Sequence, residues 1–208
     1  MDFSVLKHEL INSMVQRPNK SGELSGHAAG EPFSDLVFSI LINAGVNVKK
    51  QHDLLNEILI HLRTHSKENR LNAINSKSLR EVLWKGRINK SWSITNQFDY
   101  KQSDFADMLV LMPDGRIHIF DVKTSNIRKK AQPPNIMSAL RLAGICKSML
   151  DTNEYEKVRI SYIGISWLEE GDFLICKDVN FVDMLKITPS KLYINFTAAL
   201  QIQFKLED

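Results

Sequence analysis

Two apolar, β-compatible runs, residues 105–112 and 116–123, are joined by Pro113-Asp114-Gly115, and this short junction constrains the chain more than any other feature. Pro at the second turn position, Asp at the third and Gly at the fourth match a type I turn closed by a left-handed glycine, the usual three-residue hairpin loop. With that loop Met112 faces Arg116, and counting back along both strands puts Asp107 directly opposite Asp121. Side chains paired across an antiparallel hairpin have Cβ atoms roughly 4.5–5.5 Å apart. Period-2 alternation places Asp121 and Lys123 on one face and turns Val122 to the other. A two-residue turn would slip the register by one, set Asp107 against Val122 and part the carboxylates. The turn chemistry favours the convergent register.

Two facing carboxylates destabilise a strand pair, so a shared proton, a cation or solvent at the sheet end must compensate. A hard divalent cation suits carboxylate oxygens, with water and a substrate phosphate completing its shell. Lys123 is placed to orient or help deprotonate an attacking water and to offset charge growing on a phosphorane. There is also a plain structural reading, in which Asp107 and Asp121 cap strand ends and Lys123 only snorkels to solvent. The spacing alone is short and degenerate, and it leaves both readings open.

The remainder of the chain sets the frame for this hairpin. A length of 208 residues suffices for one domain with its own core, and 43% hydrophobic with 25% charged residues is the composition of an ordinary globular protein. No apolar run approaches the roughly 18 residues a membrane helix needs, and the N-terminus lacks the layout of a signal peptide, so a membrane partner is not expected. Cys146 and Cys176 lie in apolar segments without metal-ligand spacing and read as buried thiols of a reduced, cytoplasmic protein. A net charge of +3 says little by itself. Its distribution says more: Arg128-Lys129-Lys130 follows the hairpin, and Lys85, Arg87 and Lys90 cluster after Trp84, both suited to phosphate.

Helical spacing is expected over residues 2–16, with Phe3, Leu6, Leu10, Ile11 and Met14 on one side, and again from Glu31-Pro32 through Leu41 to a stop at Gly45. Shorter helical patterns cover 52–64 and 76–84. A further helix is expected over 134–150, entered at Pro133-Pro134, followed by strands over 158–167 and 172–176 around Glu169-Glu170-Gly171. That order predicts a mixed α/β or α+β fold with one central sheet flanked by helices, a single domain over residues 1–208.

The residues Asp107 and Asp121-Val122-Lys123, with a helix before and after the strand pair, resemble the PD-(D/E)xK nuclease superfamily. Longer strings resemble one of its branches, the HincII type of type II restriction endonuclease. These are Lys20-Ser21-Gly22-Glu23-Leu24-Ser25-Gly26-His27-Ala28-Ala29-Gly30-Glu31-Pro32-Phe33, Trp92-Ser93-Ile94, Lys101-Gln102, Ala106-Asp107, Asp121-Val122-Lys123-Thr124, Pro134-Asn135-Ile136 and Leu192-Tyr193-Ile194-Asn195. The resemblance runs from about residue 17 to the end. It implies a homodimer that uses Mg²⁺ to cut both strands of double-stranded DNA at a short palindrome, GTYRAC in this type, leaving blunt ends with 5′-phosphates. A cognate DNA methyltransferase is implied as well. Asp107 and Asp121 would take the metal roles and Lys123 that of the catalytic lysine, with the backbone carbonyl of Val122 or Phe120 as a further ligand. The family pattern continues beyond the position where this chain stops, which sets a non-cleaving DNA-binding remnant beside the endonuclease reading. A structure-specific repair nuclease on the same fold is a third reading.

Asn and Gln suit paired contacts with adenine. Gln132 and Asn135, at the entry of the expected 134–150 helix, and Tyr193 and Asn195 would by resemblance approach base edges, and Gln102 the minor groove. Thr124, Ser125, Asn126, Arg128 and Lys129 are candidates for holding phosphates, which fix position rather than sequence. Glu31 is either a residue near the metal, as a helix glutamate is in several proteins of this fold, or an acidic group on a helix N-terminus.

Overall fold

A computed structural model describes residues 3–19, 22, 24, 29–50, 53, 107–111, 116–129, 135–138, 150–151, 153, 158–184, 186–187, 191–195 and 201–204. In chain order the elements are α1 (Phe3–Leu10), β1 (Met14–Gln16), α2 (Gly30–Asn43), β2 (Val48–Lys50), β3 (Met108–Leu111), β4 (Ile117–Asn126), β5 (Asn135–Ser138), β6 (Val158–Glu170), β7 (Phe173–Asp183), β8 (Leu192–Asn195) and β9 (Gln201–Phe204). Six strands form one mixed sheet in the order β1-β7-β6-β4-β3-β2, and three form a second, β5-β9-β8. β4 and β6 run parallel, paired from Ile117 with Val158 to Asn126 with Trp167. The other ladders are antiparallel. The chain is thus an α+β fold with helices against a mixed sheet, as the order of patterns predicts.

The hairpin register is the one a three-residue turn dictates: Met108 pairs with Phe120, Leu109 with Ile119, Val110 with His118 and Leu111 with Ile117. The turn residues 112–115 themselves lie outside the described set. Even-numbered positions of β4 face α1 and α2. Phe120 and Val122 join Met108, Val110, Ile163, Ile165 and Trp167 in a core with Leu6 and Leu10 of α1 and Phe33, Val37 and Leu41 of α2. The spacing of Phe33, Val37 and Leu41 keeps them on one side of α2. Each such side chain contributes roughly 1.5–3 kcal/mol when fully buried. α2 stops as expected. Gly45 adopts φ 73°, its N–H donates to the Ile42 carbonyl and Val46 N–H to that of Leu41, the paired bonds of a Schellman motif.

Three expectations are corrected. The helix expected over 2–16 ends at Leu10, because Asn12 takes a left-handed φ of 64°, which Asn tolerates better than most residues. Asn12 N–H then donates to the Cys176 carbonyl and Cys176 N–H to that of Ser13, so Met14–Gln16 become an edge strand on β7. The strands expected over 158–167 and 172–176 are longer, meeting at Gly171-Asp172, with an irregularity between Ser166 and Trp167. Residues 135–138 are a strand on β9 rather than the start of a helix. Pairing with β9 takes up the segment, and residues 139–149 of the expected helix lie outside the described residues. Apart from Asp53, the helical patterns at 52–64 and 76–84 also fall outside them, as does Cys146. Cys176 is buried, and burial and Asp178 push its thiol up to about 11.

One titratable group sits in the helix-facing layer. His118 stacks on Phe120 with centroids 4.3 Å apart, meets Phe3 edge-on and lies 2.7 Å from Ser161 Oγ through Nε2. Burial, reinforced by Arg159, the N-terminus and Arg116 against an opposing Asp183, lowers its pKa to about 4. A histidine whose folded pKa is depressed stabilises the fold fully above its unfolded value of 6.5, and that stabilisation is lost as pH falls toward 4. Urea denaturation between pH 6.5 and 4 should therefore show about 3 kcal/mol of lost stability that is absent in His118→Gln. Parallel profiles for the two proteins would contradict this.

Candidate active site

Asp121 and Lys123 lie on the odd-numbered face of β4, opposite the helices. Lys123 Nζ donates to Asp121 Oδ1 at 2.6 Å. Asp121 is 5% exposed, and its buried Oδ2 has no hydrogen-bond partner among the described residues. Burial pushes the Asp121 carboxyl up to about 7, with Lys123 opposing and Asp107 adding to the rise. Burial alone would lower the Lys123 ammonium, but the charges of Asp121 and Asp107 and the hydrogen bond to Asp121 together raise it above the usual lysine value. The three charged groups expected to converge do act on one another.

Asp107 departs from simple cross-strand pairing. It stands one residue beyond the last β3–β4 pair, its N–H donates to the Phe120 carbonyl at 2.9 Å, and its Oδ2 accepts the Val122 N–H at 2.6 Å. A side-chain oxygen has thus replaced the next backbone acceptor of the ladder. N–H and C=O of one strand residue point to the same side, so the Val122 carbonyl also points past the end of β3, toward Asp107. The Phe120 carbonyl is engaged by Asp107 N–H.

Two carboxylates and a backbone carbonyl directed past a strand end form a donor set suited to a hard divalent cation, which commonly takes one or two protein carboxylates and fills its shell with water and phosphate. The orphaned Asp121 Oδ2 fits this, since a buried carboxylate oxygen needs a donor or a metal. Among the described residues no third acidic, His or Cys side chain completes a cluster. Glu31 is exposed in the first turn of α2, lining a surface groove with Val15 and Gln16 of β1. β7 and β6 separate β1 from β4, so Glu31 reads as an acidic group at the helix N-terminus.

β4 carries the remaining near candidates. Thr124 is half-buried on the helix-facing side, and Ser125 Oγ lies 3.3 Å from Ser166 Oγ on the catalytic side. Asn126 is buried, and its Oδ1 accepts the Arg128 N–H at 2.9 Å, an Asx turn that bends the chain after β4. Arg128 and Lys129 are exposed in that turn, with Lys129 Nζ 3.3 Å from the Leu24 carbonyl. Asn135 lies on β5, not at a helix N-terminus, and pairs with Gln203; Tyr193 pairs with Gln203 from the other side, and Asn195 with Gln201. Arg87, Gln102 and Gln132 fall outside the described residues.

Sequence reasoning missed Gln203, a buried polar residue between the Asn135 and Tyr193 positions. The alternation Gln201-Ile202-Gln203-Phe204 was the available signal. It also missed Tyr162 and Gly164, which pair with Asp121 and Lys123 on β6. Burial, then the Asp121 charge, pushes the Tyr162 hydroxyl above its ordinary value.

The buried charge at Asp121 carries a stability cost. An acid whose folded pKa is raised destabilises the fold progressively as pH climbs from its unfolded value to its folded one, here from 3.8 to about 7. In EDTA at pH 8, Asp121→Asn should therefore gain on the order of a few kcal/mol in denaturant stability, with the gain shrinking by pH 5. A loss of stability at pH 8 would contradict the desolvated carboxylate.

The family model described as restriction endonuclease HincII matches residues 6–208. The chain is 43% identical over 202 residues to the type II restriction enzyme HindII of Haemophilus influenzae (strain ATCC 51907 / DSM 11121 / KW20 / Rd), covering 96% of this chain and 78% of that protein. It is 42% identical to the type II restriction enzyme HincII of Haemophilus influenzae, with the same coverage. A match over nearly the whole chain spans both the hairpin and the second sheet. The chain belongs to the HincII restriction endonuclease family.

Proposed function

We propose that this protein is a Mg²⁺-dependent type II restriction endonuclease that hydrolyses DNA phosphodiester bonds at the β3–β4 hairpin. The observation that carries the reading is the buried Asp121 carboxylate, one oxygen on Lys123 and the other orphaned, beside Asp107. Asp107 and Asp121 would hold a divalent cation, which would supply positive charge and Lewis acidity toward a substrate phosphate. Val122 N–H fixes the Asp107 carboxylate, so that group is oriented before any ligand arrives. Asp121 holds the Lys123 ammonium within the site, where it can donate to a phosphate oxygen and offset charge as the phosphorane forms. The two carboxylates favour the cationic form of Lys123.

The relatives' names, type II restriction enzymes, support double-stranded DNA as the substrate. The finer expectations belong to the same reading: a homodimer acting on a short GTYRAC-like palindrome, blunt ends with 5′-phosphates, and a cognate methyltransferase. Arg128 and Lys129, exposed beyond β4, are placed to hold phosphates. Asn126, folded inward onto Arg128 N–H, shapes that turn from within.

A plasmid incubated with Mg²⁺ should yield discrete fragments, and none in EDTA. Sequencing the ends should place every cut at the centre of one palindrome. Asp121→Ala should lower cleavage by roughly 100-fold or more while DNA binding persists. Undiminished cutting by that variant would refute the assigned metal site. Binding without any cutting by the unaltered protein would favour a DNA-binding remnant, and cutting only at branched DNA a repair nuclease.

A further inference from the structure

The catalytic face continues from β4 onto β6. In the parallel ladder Tyr162 stands beside Asp121 and Gly164 beside Lys123. Tyr162 and Gly164 are two apart on one strand and so share that face. A Cβ added at Gly164 would lie 2.7 Å from Tyr162 Cε1, 3.0 Å from its hydroxyl oxygen and 3.2 Å from Cζ. The phenol ring therefore lies along β6 over Gly164, in the space a side chain would fill, with its outer edge beside the Lys123 position. Gly164 takes no left-handed φ, so room, not backbone conformation, calls for glycine there. Tyr162 is only 4% exposed, and this large ring stands on the strand position beside the buried Asp121.

We propose that Tyr162, laid over Gly164, is a positioning residue of the nuclease site, the wall that holds the Asp121–Lys123 pair in its 2.6 Å geometry. Lys123 has a flexible stem with three donors and is about one-third exposed. Without a wall its ammonium can swing to solvent, and the Asp121 oxygen it engages loses its partner. The ring acts through shape, so its aromatic plane matters more than its hydroxyl. This inference rests on the nuclease reading of Asp121 and Lys123.

Gly164→Ala tests it without altering Tyr162 or either catalytic residue, because the added methyl must displace the ring. Single-turnover cleavage should fall by about tenfold or more, as small misplacements of reacting groups do, while DNA affinity in EDTA stays within about twofold. Tyr162→Ala should show the same split, Tyr162→Phe should restore most of the rate, and Gly164→Ala should cost nothing further in the Tyr162→Ala background. Folding is followed by thermal denaturation of each variant. A folded Gly164→Ala protein that cuts at full rate overturns the proposal. Should Gly164→Ala fail to fold, Tyr162→Ala decides: full cleavage overturns the proposal, and a loss restored by Phe supports it. A parallel fall in cleavage and DNA affinity in both variants also overturns it, since that marks general disruption. Asp121→Ala, run alongside, separates the two levels. If it still cuts, the nuclease assignment itself fails; if it is inactive while Gly164→Ala is fully active, only the positioning role fails.

Discussion

Every feature of the site depends on β4 being paired on both edges. β3 joins it as the hairpin partner and β6 as a parallel neighbour along ten consecutive pairs. A strand clamped on both sides cannot slip by one residue without exchanging its faces. On β4 that exchange would drive Asp121 and Lys123 into the helices and expel Phe120 and Val122. The apolar packing of Phe120 and Val122 beneath α1 and α2 is thus what fixes the charged groups above. Stability and chemistry are divided by parity along one strand, and the core enforces the site.

The opposing cost is electrostatic. A carboxylate taken out of water beside another carboxylate is unfavourable, and one lysine compensates only in part. The arrangement persists because the surrounding ladders leave Asp121 nowhere else to point. It is also what makes the site receptive. A buried oxygen lacking a donor favours a cation, and the Val122 N–H that holds Asp107 lets the second carboxylate wait in place. On the proposed reading, the same desolvation that weakens the fold at neutral pH would favour a hard ion on the aspartate pair.

The site was legible in the sequence where its information is local. Pro113-Asp114-Gly115 predicts a three-residue turn, that turn predicts the register observed from Met108 to Leu111, and the parity of β4 puts Asp121 and Lys123 on one face. Gly45 likewise ends α2 by a backbone geometry written in one residue. Reading failed where distant segments decide. Asn12 breaks the first helix because its own N–H and the Ser13 carbonyl bond to Cys176, far along the chain. Asn135–Ser138 become a strand because β9 offers them partners. Gly164 carries no signal at all until Tyr162 is seen lying across it, and the inward turn of Asn126 depends on a local bond that competes with an outward role.

On the proposed reading, the continuity of β4 also couples cutting to gripping. Beyond Lys123 the strand runs to Asn126, and the turn that follows is pinned by Ile127 N–H on the Trp167 carbonyl, Lys129 N–H on the Asn126 carbonyl and Arg128 N–H on Asn126 Oδ1. On that reading, a bend introduced between Ser125 and Arg128 would shift the basic turn relative to Lys123 while leaving both sets of residues intact.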